Sequence, residues 1–105
     1  MATYIALVNF TDQGVRHIRH TTDRAKALVK AAANLGVAIK DIYWTLGSYD
    51  AVFTAEAPDD DTITAFALSM GSLGNIRTQT LRAFSAEEMN KILEKVPVGA
   101  VTASK

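Results

Sequence analysis

Apolar and polar positions alternate from Thr3 to Phe10 in a way that leaves hydrophobic side chains on both sides: Ile5 and Leu7 on one, Tyr4, Ala6, Val8 and Phe10 on the other. A strand apolar on both faces belongs in the middle of a sheet. A polar joint follows, Thr11 to Thr22, with Gly14 inside it and room for a short helical turn. Ala25, Leu28, Val29, Ala32 and Leu35 then recur at the spacing of one helical face, opposed by Arg24, Lys26, Lys30 and Asn34. Thr22 or Asp23 is the expected N-cap and Gly36 the stop.

Val37 to Leu46 alternates less cleanly and carries Lys40 and Asp41, charges that suit an outer strand. Gly47-Ser48 is expected to close a hairpin through a two-residue type II′ turn. Tyr49 to Ala57 forms the second central strand, with Tyr49, Ala51, Phe53, Ala55 and Ala57 on one side. Three aspartates, Asp59 to Asp61, precede a helix that starts near Thr62 and buries Ile63, Phe66, Ala67 and Met70. Carboxylates there suit the positive end of a helix, and the further oxygen ligands of a calcium loop do not follow. Asn75 to Phe84 reads as a polar strand, and Ser85-Ala86-Glu87-Glu88 as a capping box ahead of a helix whose Met89, Ile92, Leu93 and Val96 share a face.

The order β-α-β-β-α-β plus a C-terminal helix fits two right-handed crossovers joined by a hairpin, an α+β, ferredoxin-like four-stranded antiparallel sheet with helices on one face. The first and third strands are then central. Their apolar residues occupy both faces while the helices cover one, so the open face calls for a second subunit, and the expected assembly is a dimeric α+β barrel. Residues 1–96 make one domain, and 97–105 form a small-residue tail expected to be mobile.

Composition removes several functions. With 11 basic and 11 acidic residues the net charge is zero, and no basic run offers a footprint for nucleic acid or an anionic membrane. The chain has no cysteine, which excludes disulfides, thiolate metal sites and cysteine nucleophiles. The start Met1-Ala2-Thr3-Tyr4 lacks signal-peptide character, so a cytoplasmic location is expected, with no membrane and no cofactor.

Thr11-Asp12-Gln13-Gly14, the hairpin Tyr43 to Asp50, Ala57-Pro58-Asp59-Asp60 and the run Gly74 to Phe84 together resemble the GYD family of small bacterial proteins. The resemblance runs from about Tyr4 to about Leu93, with Ser48 standing where the family's name implies glycine. It implies a relationship to the dimeric α+β barrel group, which includes cofactor-independent monooxygenases, isomerases, haem proteins and ligand-sensing domains, and it implies no particular activity.

Candidate chemistry is sparse. His17 and His20 lie three apart and, with Asp12 or Asp23, could face a divalent metal, but no further ligands stand at the spacing of a zinc motif, and no metal is expected. The two histidines are also the default general acid–base candidates. Asp50 could hold a substrate or polarise a hydroxyl; its structural alternative is to accept backbone N–H bonds at the hairpin. Arg77, Gln79 and Arg82 could clamp an anion, although Arg82 alternates onto the opposite face from the other two.

Three functions follow. The leading one is a non-catalytic oligomer, a homodimer or higher even oligomer, that binds a small organic ligand between sheet and helices with Thr11, Gln13, Tyr49, Asp50 and Arg77 as the polar wall. The second is a cofactor-independent enzyme, oxygenase- or isomerase-like, acting on a small aromatic or carbonyl substrate. There His17 or His20 would be the base, Asp50 the orienting group and Arg77 the oxyanion donor. The third is a ligand-free scaffolding oligomer.

Overall fold

The computed structural model describes residues 1–97. In chain order its elements are β1 (Ala2–Phe10), α1 (Asp12–Arg16), a 3-10 turn (Ile18–His20), α2 (Thr21–Asn34), β2 (Ala38–Trp44), β3 (Ala51–Ala57), α3 (Asp60–Ser72), β4 (Ile76–Ala83) and α4 (Ala86–Leu93). The strands form one antiparallel sheet in the order β2-β3-β1-β4, so the two apolar strands are the central ones. This is the ferredoxin-like α+β arrangement. The tail expected to be mobile lies, from residue 98 on, outside the described residues.

Alternation places the core. Tyr4, Ala6 and Val8 of β1 and Ala51, Phe53, Ala55 and Ala57 of β3 are buried against Ile63, Phe66 and Met70 of α3 and Ala32 of α2. Phe53 meets Phe66 edge-on at 6.5 Å between ring centroids, the geometry that the ring quadrupole favours. Truncating a buried aromatic such as Phe66 costs about 3–5 kcal/mol, so α3 is the main lid of this core. The other sheet face has no buried residue: Ile5, Leu7 and Val52 remain half-buried, while Leu81 is 41% and Tyr43 63% exposed.

Several boundaries differ from the sequence expectations, each for a local reason. The polar joint holds both α1 and the 3-10 turn, which runs straight into α2, so the helix begins at Thr21 without the side-chain cap expected from Thr22 or Asp23. Its Val29 and Leu35, counted on the apolar face, are exposed. The uneven alternation of β2 is a bulge. The register shifts between Ile39 and Asp41, placing Ile39 opposite Ala55 and Ile42 opposite Phe53, so two residues three apart share the core side.

The hairpin is wider than a two-residue turn. Asp50 donates its N–H to the Val8 carbonyl at 2.8 Å and accepts the Phe10 N–H on its carboxylate at 2.8 Å, which draws Tyr49-Asp50 toward β1 and away from β2. The loop therefore runs from Thr45 to Asp50, closed by the Thr45 N–H on the Asp50 carbonyl at 2.9 Å and the Thr45 hydroxyl on the Tyr49 carbonyl at 2.6 Å. Gly47 takes a φ of 122°, a conformation that favours glycine.

Helix starts follow the expected caps more closely. Asp59 accepts the Thr62 N–H at 2.8 Å and starts α3 slightly before the predicted point. Ser85 and Glu88 form the reciprocal capping box of α4, with Ser85 N–H to Glu88 at 2.9 Å and Glu88 N–H to Ser85 at 3.1 Å. That helix ends at Leu93, before Pro97, and none of its residues is buried.

Thr11-Asp12-Gln13-Gly14 locks onto Gly74-Asn75. Thr11 donates its N–H to the Asn75 carbonyl at 3.0 Å and its hydroxyl to the Gly74 carbonyl at 2.5 Å, while accepting the Gly14 N–H at 3.1 Å. Gln13 donates its amide to the Leu73 carbonyl and to Asn75 Oδ1. Gly14 is obligatory, since a Cβ there would lie 2.1 Å from the Asn75 carbonyl oxygen. Gly14→Ala is therefore expected to lower the unfolding free energy by about 1–3 kcal/mol, the usual cost of overpacking, as measured by urea denaturation.

Candidate functional site

A cavity of about 320 Å³ lies between α2 and the core face of the sheet. Its walls are mainly apolar, including Val8, Leu28, Ile42, Phe53, Met70 and Ile76, and its polar members are Thr21, Arg24, Trp44 and Asn75. Two features of the sequence open this space. Alanines at 25, 27 and 31 give the inner side of α2 short side chains, and the β2 bulge turns both Ile39 and Ile42 toward it. Trp44 closes one rim, its indole N–H donated to the Thr21 hydroxyl at 3.0 Å. Tyr43 next to it lies on the open sheet face opposite Val52, so the aromatic pair divides between the two sides.

The wall residues expected from sequence lie elsewhere. Thr11 and Gln13 belong to the lock on Gly74-Asn75. Tyr49 donates its hydroxyl to Gln79 at 3.1 Å, Asp50 holds the end of β1, and Arg77 is exposed on β4 opposite Asn9. None of the five lines this cavity. Asp50 does accept a backbone N–H, but on β1 rather than within the hairpin.

The candidate catalytic set is likewise dispersed. His17 ends α1 and His20 ends the 3-10 turn, both exposed, and neither shares a cavity wall with Asp50 or Arg77. No group of three or more metal-ligating side chains is found among the described residues. Arg24, which the sequence presented as part of the polar helix face, instead bridges α2 to α1, donating to the His17 carbonyl at 2.8 Å and the Gly14 carbonyl at 3.1 Å. Only helical register combined with the position of α1 could have revealed it.

A second, more polar cleft of about 250 Å³ is lined by Tyr4, Asp60, Ile63, Thr64, Thr80 and Arg82. Tyr4 donates its hydroxyl to Asp60 at 2.5 Å, and this bond, aided by burial, pushes the phenol above its usual pKa. Arg82 lies over the Phe84 ring at 4.5 Å and the Tyr4 ring at 5.7 Å, and pairs with Glu88 at 3.3 Å. Its fork thus ties β4 to α4. No helix among the described residues is long and apolar enough to cross a membrane.

A family model described as "GYD domain" matches residues 4–93. The chain belongs to the GYD family. It is 31% identical over 90 residues to a curated Thermus thermophilus protein named "Glutamine synthetase and cystathionine beta-lyase binding protein", covering 85% of this chain and 95% of the relative. It also resembles a crystal structure of a protein from Thermus thermophilus, with 27% identity and a TM-score of 0.54 over 82% of this chain and 96% of the other.

Within this GYD domain the Tyr49-Asp50 pair braces the sheet. The Asp50 carboxylate satisfies the last N–H of β1, and Tyr49 spans to Gln79 of β4. Asp50→Ala is expected to lower stability by about 1–2 kcal/mol, with Asp50→Asn milder because one acceptor remains; chemical denaturation reads both.

The pH dependence has a defined sign at each end of the scale. Thr62 hydrogen bonds hold Asp59 below its usual pKa, and the Ser85 N–H, followed by Arg82, does the same for Glu88. Their contribution is complete above the unfolded carboxyl value of about 4 and is lost as pH falls through the lower folded values. Tyr4 acts oppositely: its contribution is complete below about pH 10 and lost as pH rises through its raised folded value. Circular dichroism of Asp59→Asn and Tyr4→Phe against the parent should show flatter acid and alkaline limbs respectively.

Proposed function

We propose that this GYD protein is a non-catalytic binding protein that works as an oligomer and holds a small organic ligand between α2 and the sheet. The observation that carries the reading is the cavity itself, about 320 Å³ with mainly apolar walls and a few polar groups. Small-molecule sites have this character and begin at about 300 Å³. The dispersion of His17, His20, Asp50 and Arg77 supports binding over catalysis, because a general base must reach the proton it removes. Native mass spectrometry of gently purified protein tests the ligand directly.

Self-association is proposed through the open sheet face. Ile5, Leu7, Val52 and Leu81 line up across β3, β1 and β4, with Tyr43 on β2 beside them. Each of these half-covered side chains gains roughly 25 cal/mol per Å² on leaving water. A face-to-face pair of sheets, the dimeric α+β barrel, buries them. Leu7→Lys with Leu81→Lys is expected to yield a monomer by light scattering, whereas the parent is a dimer or an even multiple; an unchanged mass would remove the sheet face from the assembly.

A second reading, binding to another protein, is favoured by α4. Its Met89 is 44%, Leu93 52% and Val96, just beyond the helix, 47% exposed, an apolar stripe without cover among the described residues. The Thermus relative is named for binding glutamine synthetase and cystathionine beta-lyase. Calorimetry with those two purified enzymes, comparing the parent with Leu93→Glu, tests this: the parent should bind and the variant should lose at least about tenfold in affinity, roughly 1.4 kcal/mol.

A further inference from the structure

The polar groups at the α1 end of the cavity offer hydrogen-bond donors and a positive charge. Arg24 lines the cavity and is pinned there by two neutral backbone carbonyls, those of His17 and Gly14. The ion pairs formed among the described residues are Lys40–Glu56 and Arg82–Glu88, so the Arg24 charge has no carboxylate partner among them. Thr21, one turn before it on α2, accepts the Trp44 indole N–H and keeps its own O–H to donate. Asn75 accepts the Gln13 amide on Oδ1, which leaves its NH2 group without a partner among the described side chains.

Two of these groups meet at one glycine. Arg24 reaches the Gly14 carbonyl at 3.1 Å, and Gly14 itself lies against the backbone of Asn75. Arg24 and Asn75 therefore flank the same glycine, while Thr21 shares the helix face of Arg24. The remaining wall is hydrocarbon and aromatic ring. A pinned cation needs little ordering when it meets a ligand, and a planar carboxylate matches the guanidinium edge.

From this placement of a cation without a carboxylate partner in an apolar wall we infer that the cavity binds a small organic carboxylate with an apolar aliphatic or aryl body, its charged end at Arg24 and its body against Val8, Leu28, Ile42 and Phe53. The inference rests on the ligand-binding reading above and names the class of ligand. A single cation in apolar walls suits one carboxylate better than a phosphate dianion, which would bring a second charge into the same low-dielectric space.

Trp44 is the chain's single tryptophan and stands in the cavity wall, so its fluorescence reports occupancy of the full-length protein without a label. The probes are 3-phenylpropanoate and octanoate, each against its primary amide. Both acids should give saturable emission changes and bind about tenfold more tightly than their amides. Arg24→Gln should weaken acid binding about tenfold more than amide binding, so that the preference is lost, and Ala31→Leu, which fills the cavity, should abolish binding of both classes. Equal binding of acid and amide to the parent protein would overturn the carboxylate assignment and leave a cavity binding neutral molecules. No response to any probe up to about 10 mM would overturn the assignment and count against the cavity as a ligand site. Should Arg24→Gln fail to fold, the acid–amide comparison on the parent decides.

Discussion

Burial of one face of β1 and β3 against α3 and α2 is the constraint on which the rest of the structure depends. Each central strand is paired on both edges, so its backbone groups are satisfied by neighbours and its side chains can be apolar throughout. Tyr4, Ala6, Val8, Phe53 and Phe66 use that freedom on the helix side. On the other side the same freedom leaves Ile5, Leu7 and Val52 only half-buried among the described residues. The central strands are thus complete in hydrogen bonding and incomplete in packing.

The lock of Thr11-Asp12-Gln13-Gly14 on Gly74-Asn75 determines where the helix layer begins. It fixes α1 over the junction between α3 and β4, and from there the His17 and Gly14 carbonyls receive Arg24. The first turn of α2 is held by this bridge and by Trp44 on Thr21, whereas only Ala32, near its far end, is buried. A helix held by polar contacts at its first turn and by Ala32 near its far end, with alanines between them, leaves space beneath it. The cavity is in that sense a product of the lock rather than of missing core residues.

Strand order, central strands and the identity of the capped helices α3 and α4 were legible because period-two alternation and capping boxes are local signals. The hairpin loop was not, since its width depends on Asp50 bonding to Phe10, a contact across 40 positions of sequence. The β2 bulge showed only as blurred alternation around Lys40. The cavity residues were hidden for a further reason. Thr21, Arg24 and Asn75 lie in segments that read as polar surface, and only the placement of α1 turns them inward. Thr11, Gln13 and Tyr49, expected in the polar wall of a ligand cavity, instead hold the scaffold together.

The bulge at Lys40 has a consequence for how copies of the chain can meet. β2 is an outer strand, and its pairing register breaks between Ile39 and Asp41, with Lys40 reaching Glu56 at 3.8 Å. A strand approaching that edge would find donors and acceptors out of step and a charged side chain among them. Stacking over the apolar face remains open to it, and stacking of that kind closes on itself after two sheets. Ribbon-like growth along the hydrogen-bonding direction does not. The same irregularity that turns Ile39 and Ile42 inward therefore also disfavours strand addition at this edge.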